Sequence, residues 1–373
     1  MDVIRLLSDL VAVDSVNPSL VPGAAGEGAV AEVAADALRA AGLDVVIEPV
    51  VEGRPNVVGV LEGREPGPTV MFCGHLDTVG VAEMEDPFDP RIEDGRLYGR
   101  GSQDMKGGVA AMIAAAAALK DQWTRGRLIV ACVCDEEFES IGADALVKTW
   151  KADAAIVTEP TDLRMAVGHK GFAWLEVVTE GRAAHGSRPA EGRDAILRMG
   201  RVLTALEALD RELQGRAPVD MQGTASLHAS IIAGGRELSV YPDRCVLHME
   251  RRTVADEDGR AARAEVEAIL TRLRAADASF AASSSLLTAR SPYRVSDDAS
   301  IVLAMTSVLS ARGLNATPTG MSFWTDAAIL AGAGIPSVIF GPGGAGLHSI
   351  EEYVRIAEVE TCRDVLVGVA LTM

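Results

Sequence analysis

Changes of rhythm along the chain predict an α/β layered domain interrupted by a second unit built around its own sheet. Over the first 160 of 373 residues, helix-period and strand-period patterns alternate. Between about 170 and 287 the order becomes β-α-β-β-α-β, after which alternation returns. Alternation stacks helices on the faces of a sheet, and β-α-β-β-α-β is the order of a ferredoxin-like unit. The expected division is 1–169 and 288–373 as two parts of one layered domain, with 170–287 inserted between them.

In chain order, Val30, Val33, Ala34, Leu38 and Ala41 follow helical spacing and Gly42 supplies the stop. Strands fit 44–49, 56–61 and 69–74. A helix fits 106–119, then a strand 127–134, a helix near 143–150 and a strand 154–158. In the inserted unit, a strand at 172–179 precedes a helix carrying Ala195, Ile196, Met199, Val202, Leu203, Leu206 and Leu209. Strands 226–232 and 244–251 follow, then a helix with Val266, Ile269, Leu270 and Leu273, and a strand 279–287. Helix 299–309 and strand 337–340 resume the first pattern. Period-two alternation puts Cys245, Leu247, Met249, Leu227, Ala229 and Ile231 on one face of the inserted sheet. The open face then carries His228, His248, Glu250 and Arg252, a setting for a polar ligand or an ordinary solvated surface.

The formal net charge of −18 excludes nucleic acid as a partner, because phosphates need a basic footprint. Five cysteines, an odd number in a long chain, fit free thiols in a reducing compartment. Cys132 and Cys134 share one face of an apolar strand and read as core. The early charges of the N-terminus do not make a signal peptide, and the apolar run 107–119 is too short and too Ala-rich to span a bilayer. A cytoplasmic location without membrane contact is expected.

Five stretches carry side chains that hold or serve metal ions: His75 with Asp77, Asp104, the pair Glu136 and Glu137, Glu159, and His348. Carboxylates and imidazoles, with no cysteine pair at zinc-finger spacing, suit a hydrolytic site with open coordination positions. Alone, a histidine in an apolar run is usually packed core and an acidic pair after a strand is usually surface. Together, at successive strand ends of one α/β domain, they favour a site. Asp104, short and at a turn, is the natural bridge between two ions. Asp77 is spaced to accept the other imidazole proton of His75 and fix its tautomer. Of Glu136 and Glu137, one can ligate while the other stays free as general base. The run Gly341 to Gly346 fits a dinucleotide fingerprint by letter, but too little chain follows for the rest of that unit. A flexible loop presenting His348 is the simpler reading.

These motifs resemble the acetylornithine deacetylase, succinyl-diaminopimelate desuccinylase, aminoacylase and carboxypeptidase G family of dinuclear zinc peptidases. The match runs through Gly-His-Leu-Asp at 74–77, Gly-Arg-Gly with Asp-Met-Lys-Gly-Gly at 99–108, Asp-Glu-Glu with Gly-Ala at 135–143 and Glu159-Pro160. It continues through His185-Gly-Ser with Pro189, Gly234-Gly235, Arg251-Arg252-Thr253, Thr325-Asp326 and Gly346-Leu-His348. The resemblance implies a zinc-peptidase-like catalytic domain with an inserted lid and dimerisation domain. It implies two divalent ions, zinc first with cobalt or manganese as alternatives. His75 and Glu159 would hold one ion, Glu137 and His348 the other, with Asp104 between them and Asp77 orienting His75. Glu136 would be the general base for the attacking water. His185 would reach a homodimer partner's site to stabilise the oxyanion, and Arg252 would clamp a substrate carboxylate. The expected substrate is an N-acyl-L-amino acid, acetylornithine foremost. Desuccinylation, carboxypeptidase or dipeptidase activity, and a non-catalytic binding homologue are the alternatives. Two departures bear on substrate: Ser239 where relatives often have Asn, and Phe323-Trp324 where many are Gly-rich.

Overall fold

The computed structural model describes all residues, Met1–Met373, and the chain divides into two compact units. The first comprises Met1–Val167, Val295–Thr319 and Thr325–Met373; the second comprises Gly168–Arg294 with Gly320–Trp324.

The nine-stranded sheet built mainly from the first unit runs in the order Asp44–Val51, Arg54–Glu62, Arg125–Val133, Glu65–His75, Ala154–Val157, Ser337–Ile339, Ala166–His169, Tyr293–Arg294, with Thr319–Met321 also paired to Ala166–His169. The four strands from Arg125–Val133 to Ser337–Ile339 are mutually parallel, with antiparallel strands on either side. Parallel strands are covered on both faces, and their sequences are accordingly continuous apolar runs such as Leu128–Val133, all buried. The covering helix Gly107–Leu119 is apolar on every side and almost wholly buried. Gly108 allows its close approach, since a Cβ there would lie 2.0 Å from the Thr158 carbonyl oxygen. His75 pairs with Val133 and Cys73 with Val157, so three neighbouring parallel strands end at one level. That shared level positions the site.

Several elements join those expected from periodicity, among them two helices and a hairpin. Asp2 caps the buried helix Val3–Val11, accepting from the Ile4 and Arg5 amides. The strands Arg91–Glu93 and Arg96–Tyr98 form a hairpin. The closing helix Ile356–Thr372 buries Val359, Cys362, Val365, Leu366 and Val369. No helix is long and apolar enough to cross a membrane, and all five cysteines are free and buried.

In the second unit the antiparallel sheet has the order Ser226–Gly234, Arg244–Thr253, Gly171–Glu180, Ala281–Arg290. Helices Ala195–Gln214 and Gly259–Ala276, capped by Asp194 and Asp258, share one core with Leu175, Val177, Leu247 and Met249. One expectation fails here. Ile231 does not lie with Leu227 on the core face, because a β-bulge between Ala229 and Ile231 shifts the register. An extra residue reverses every side chain beyond it, so Ile231 pairs with His248 and is 63% exposed.

His169 gives this unit a pH signature. Its ring is buried, Nδ1 donates to the Lys170 carbonyl at 2.8 Å, and Nε2 has no hydrogen-bond partner. Burial, opposed by that carbonyl and reinforced by Arg252, pulls its pKa down from 6.5 to about 4. The unfolded chain therefore takes up the proton first. The stability contributed by a neutral ring is complete above pH 6.5 and is lost as pH falls towards 4. The full linkage is worth about 3 kcal/mol. His169→Gln should flatten the pH slope of urea-unfolding free energy across that window; an unchanged slope would remove His169 from the acid response.

Candidate metal centre

Every donor but His348 stands where an apolar strand stops or a helix begins. His75 closes Glu65–His75, Glu136 and Glu137 follow Arg125–Val133, and Glu159 follows Ala154–Val157. Asp104 lies in the kinked turn Ser102–Lys106 before helix Gly107–Leu119, and its peptide bond to Met105 is cis. His348 comes from the loop after strand Ser337–Ile339 and has a left-handed φ of 57°.

These side chains form two donor groups sharing one residue: His75, Asp104 and Glu159, and Asp104, Glu137 and His348, with the donor atoms of each group within 4.8 Å of one another. Asp104 turns one oxygen to each side. Its Oδ1 is 3.2 Å from His75 Nε2, and its Oδ2 is 3.4 Å from His348 Nε2. Glu137 Oε2 lies 3.2 Å from His348 Nε2, and Glu159 Oε1 lies 3.9 Å from His75 Nε2. Glu136 belongs to neither group, yet its Oε2 is 3.9 Å from His75 Nε2.

Asp77 occupies the expected place but holds His75 differently. The close partner of His75 Nδ1 is the Asp77 main-chain oxygen at 2.9 Å, with the carboxylate at 3.6 Å. That carboxylate instead accepts from the Glu136 amide at 3.0 Å, the Glu137 amide at 3.1 Å and Asn17 Nδ2 at 2.8 Å. Asp77 therefore anchors the turn that delivers both glutamates. A buried network extends beneath it. Asn17 also donates to Asp135 at 3.1 Å, Arg54 pairs with Glu27 at 2.6 Å and Asp135 at 2.8 Å, and Glu27 accepts from the Asp135 amide. Sequence reasoning missed Asn17, Glu27 and Arg54, which lie 80 or more residues before Asp135 and carry no local motif.

The electrostatics favour cation binding. Burial pushes Glu136 and Glu159 well above the usual carboxylate range, with Glu159 adding to the shift of Glu136 and Asp104 to that of Glu159, while His75 opposes both. Burial also raises Asp77 to about 7, although His75 opposes it. For Asp104 burial is outweighed by its bonds to His348 and His75, which hold it low. His348 is raised to about 10 by Asp104 and then Glu137. Burial would depress His75, but Asp104 and the surrounding carboxylates raise it. More negative charge is packed here than two imidazoles can balance. Glu137 Oε1 is buried with no hydrogen-bond partner. An all-oxygen-and-nitrogen donor set of this kind fits divalent zinc, cobalt or manganese.

His185 and Arg252 belong to the second unit. His185 is exposed, and the Ser187 amide donates to its Nδ1, which leaves the ring hydrogen on Nε2, available for donation. The main-chain oxygen of Ser239 accepts from the Gly186 amide and so braces this turn. Arg252 Nε donates to Glu250 at 2.6 Å, and its guanidinium lies 5.7 Å from the Phe172 ring centroid. His248 pairs with Glu176 at 3.2 Å, and His228 lies 3.9 Å from Glu250. Trp324 is core: it meets Phe172 and His169 edge-on and donates to the Ser291 carbonyl. The run Gly341 to Gly346 contains a short strand, Gly344–Ala345, and does not open the helix a dinucleotide would need.

The profile of Peptidase family M20/M25/M40 matches residues 71–372. The chain is 30% identical over 319 residues to an acetylornithine deacetylase of Myxococcus xanthus, covering 83% of this chain and 82% of that one. It is 28% identical over 387 residues to a succinyl-diaminopimelate desuccinylase of Methylobacterium radiotolerans, covering 96% and 93%. Among solved structures, an M20 family metallo-carboxypeptidase of Sulfolobus solfataricus superposes with TM-score 0.81 at 17% identity, covering 99% of this chain and 98% of that one. A dinuclear metal-binding peptidase of the M20 family from Bacillus subtilis superposes with TM-score 0.72 at 17% identity, covering 99% and 96%.

Proposed function

The chain belongs to peptidase family M20/M25/M40 and is an amide-bond hydrolase, and from that premise we propose that it is a two-metal deacylase of N-acyl-L-amino acids. Acetylornithine is the leading substrate. The observation that carries the two-metal reading is Asp104, which offers one oxygen to each of two donor groups while Glu136 stands 3.9 Å from His75 and belongs to neither. His75 and Glu159 would hold one ion, Glu137 and His348 the other, and zinc is the first choice on donor chemistry. When bound, such ions supply Lewis acidity to the scissile carbonyl and make water a stronger acid.

The remaining steps belong to the chain. Glu136 takes a proton from the attacking water as its oxygen bonds to the amide carbon. It then delivers that proton to the departing nitrogen as the C–N bond breaks, giving a carboxylic acid and an amine, and the acid's remaining proton passes to the amine to leave carboxylate and ammonium. Asp77 holds the Glu136 and Glu137 amides and so sets the carboxylates' approach. Arg252 pairs with the substrate carboxylate in exchange for Glu250. His185, with its hydrogen on Nε2, donates to the developing oxyanion. The full-length likeness to a desuccinylase supports a second reading in which the acyl group is succinyl.

The second unit, as lid and dimerisation domain, would bring His185 to a partner's site. The apolar edge strand Ser226–Gly234 supports this, with Ile231 and Ile232 63% and 52% exposed, since unpaired edges template strand pairing. Ile231→Asp should yield a monomer on a sizing column that keeps its metals but turns over on the order of 10²–10³-fold more slowly. A monomer of undiminished turnover would take His185 out of the partner's site.

The assignment is tested by incubating zinc- or cobalt-loaded protein with acetylornithine, other N-acetyl amino acids, succinyl-diaminopimelate and dipeptides. Turnover greatest on the acetylated amino acids is expected. Fastest release of succinate would shift the reading to the desuccinylase, and no turnover with both sites filled would favour a binding protein.

A further inference from the structure

We propose that Glu352 and Arg100 are positioning residues that set the distance between the Asp104 and His348 halves of the metal centre; this rests on the two-metal reading above. The Asp104 turn directs three main-chain amides at one carboxylate contributed from 248 residues further along the chain. Glu352 Oε1 accepts from Gln103 at 2.9 Å and Asp104 at 3.1 Å, and its Oε2 accepts from Gly101 at 3.0 Å. Gly101 is left-handed at φ 79°, a conformation that favours glycine, and it turns its amide inward. Arg100 donates to Glu352 Oε2 at 2.6 Å through one nitrogen, and through another to the Ser349 carbonyl at 2.8 Å. Both side chains are 1% exposed.

The arrangement matters because little else holds the His348 loop. His348, Ser349, Ile350 and Glu351 are all exposed, and burial resumes only at Glu352. Glu352 is seated by the strand it precedes, Tyr353–Arg355, which pairs with Arg96–Tyr98. One ion pair thus fastens the turn carrying Asp104 at one end and the peptide after His348 at the other. Outer groups that orient metal ligands typically affect metal affinity by 10–100-fold. Every partner of the Glu352 carboxylate is a donor, so a glutamine here would set its own NH₂ against them. Arg100→Lys keeps the charge but gives up the fork that reaches Ser349.

The test is zinc titration of metal-stripped parent, Arg100→Lys, Glu352→Gln and His348→Ala against a chromophoric chelator, with thermal melting of each metal-free protein. The parent should bind two ions. Arg100→Lys should weaken, by about 10-fold or more, the ion that His348→Ala loses, and leave the other within about twofold. Glu352→Gln should weaken both, because Asp104 is shared. Parent-like affinities in both variants at parent-like melting temperature would overturn the proposal. So would equal weakening of the two ions in Arg100→Lys with a lowered melting temperature, which marks general destabilisation. A parent that binds one ion would defeat the two-metal reading itself.

Discussion

Glu136→Gln should bind two equivalents of zinc about as tightly as the parent and hydrolyse substrate on the order of 10²–10⁴-fold more slowly, the usual worth of a positioned acid–base group. The substitution keeps the side chain's size. It leaves untouched the main-chain bond from residue 136 to Asp77, so the turn and its neighbour Glu137 stay in place. Because Glu136 lies outside both donor groups, ion affinity should hardly change. An amide cannot accept the water's proton at neutral pH. Burial and then Glu159 push Glu136 well above the usual carboxylate range, so positive charge arriving beside it favours the ionised form. Zinc would therefore both lower that pKa and free the base. The parent's activity should rise with pH through the ionisation of Glu136, and the variant's residual rate should lack that limb. Loss of one zinc in the variant would make Glu136 a ligand, and undiminished turnover would assign the base elsewhere.

How much of this could be read from the sequence depended on the range of the forces involved. The strand ends with His75, Glu136, Glu137 and Glu159 were legible, since each follows an uninterrupted apolar run that a parallel sheet requires. The β-α-β-β-α-β order was legible from period alone. The bulge at Ala229/Ile231 was not, because nothing in Ala-Ser-Ile-Ile marks an extra residue, and Ile231 was placed on the wrong face. The helix Ile356–Thr372 went unread although Val359, Cys362, Leu366 and Val369 keep helical spacing. Residues that hold the donors were hidden for a different reason. Asn17, Glu27 and Arg54 act on residues more than 40 positions away. Glu352 looks like surface acid beside Glu351, and only the fold separates an exposed member from a buried one. Trp324 shows the same limit: a departure expected to bear on substrate, it packs against His169 and Phe172.

Asp104→Ala should remove both ions from the centre and, with them, turnover. The reason lies in its two oxygens, one facing His75 and one facing His348. Every other donor serves one group, so its loss should cost one ion, whereas loss of the shared carboxylate breaks both groups. Divalent ions contribute several kcal/mol of charge stabilisation, so the rate should fall on the order of 10³-fold or more. Residues that act as a unit are non-additive. Asp104→Ala combined with His348→Ala should therefore be no slower than Asp104→Ala alone, while His348→Ala alone should retain one zinc. Metal analysis after dialysis and a double-mutant cycle on kcat/KM read both expectations. Two zinc ions retained in Asp104→Ala at parent affinity would mean that the donor groups are independent. Additive losses in the cycle would mean that the second ion contributes to turnover without depending on the aspartate that faces it.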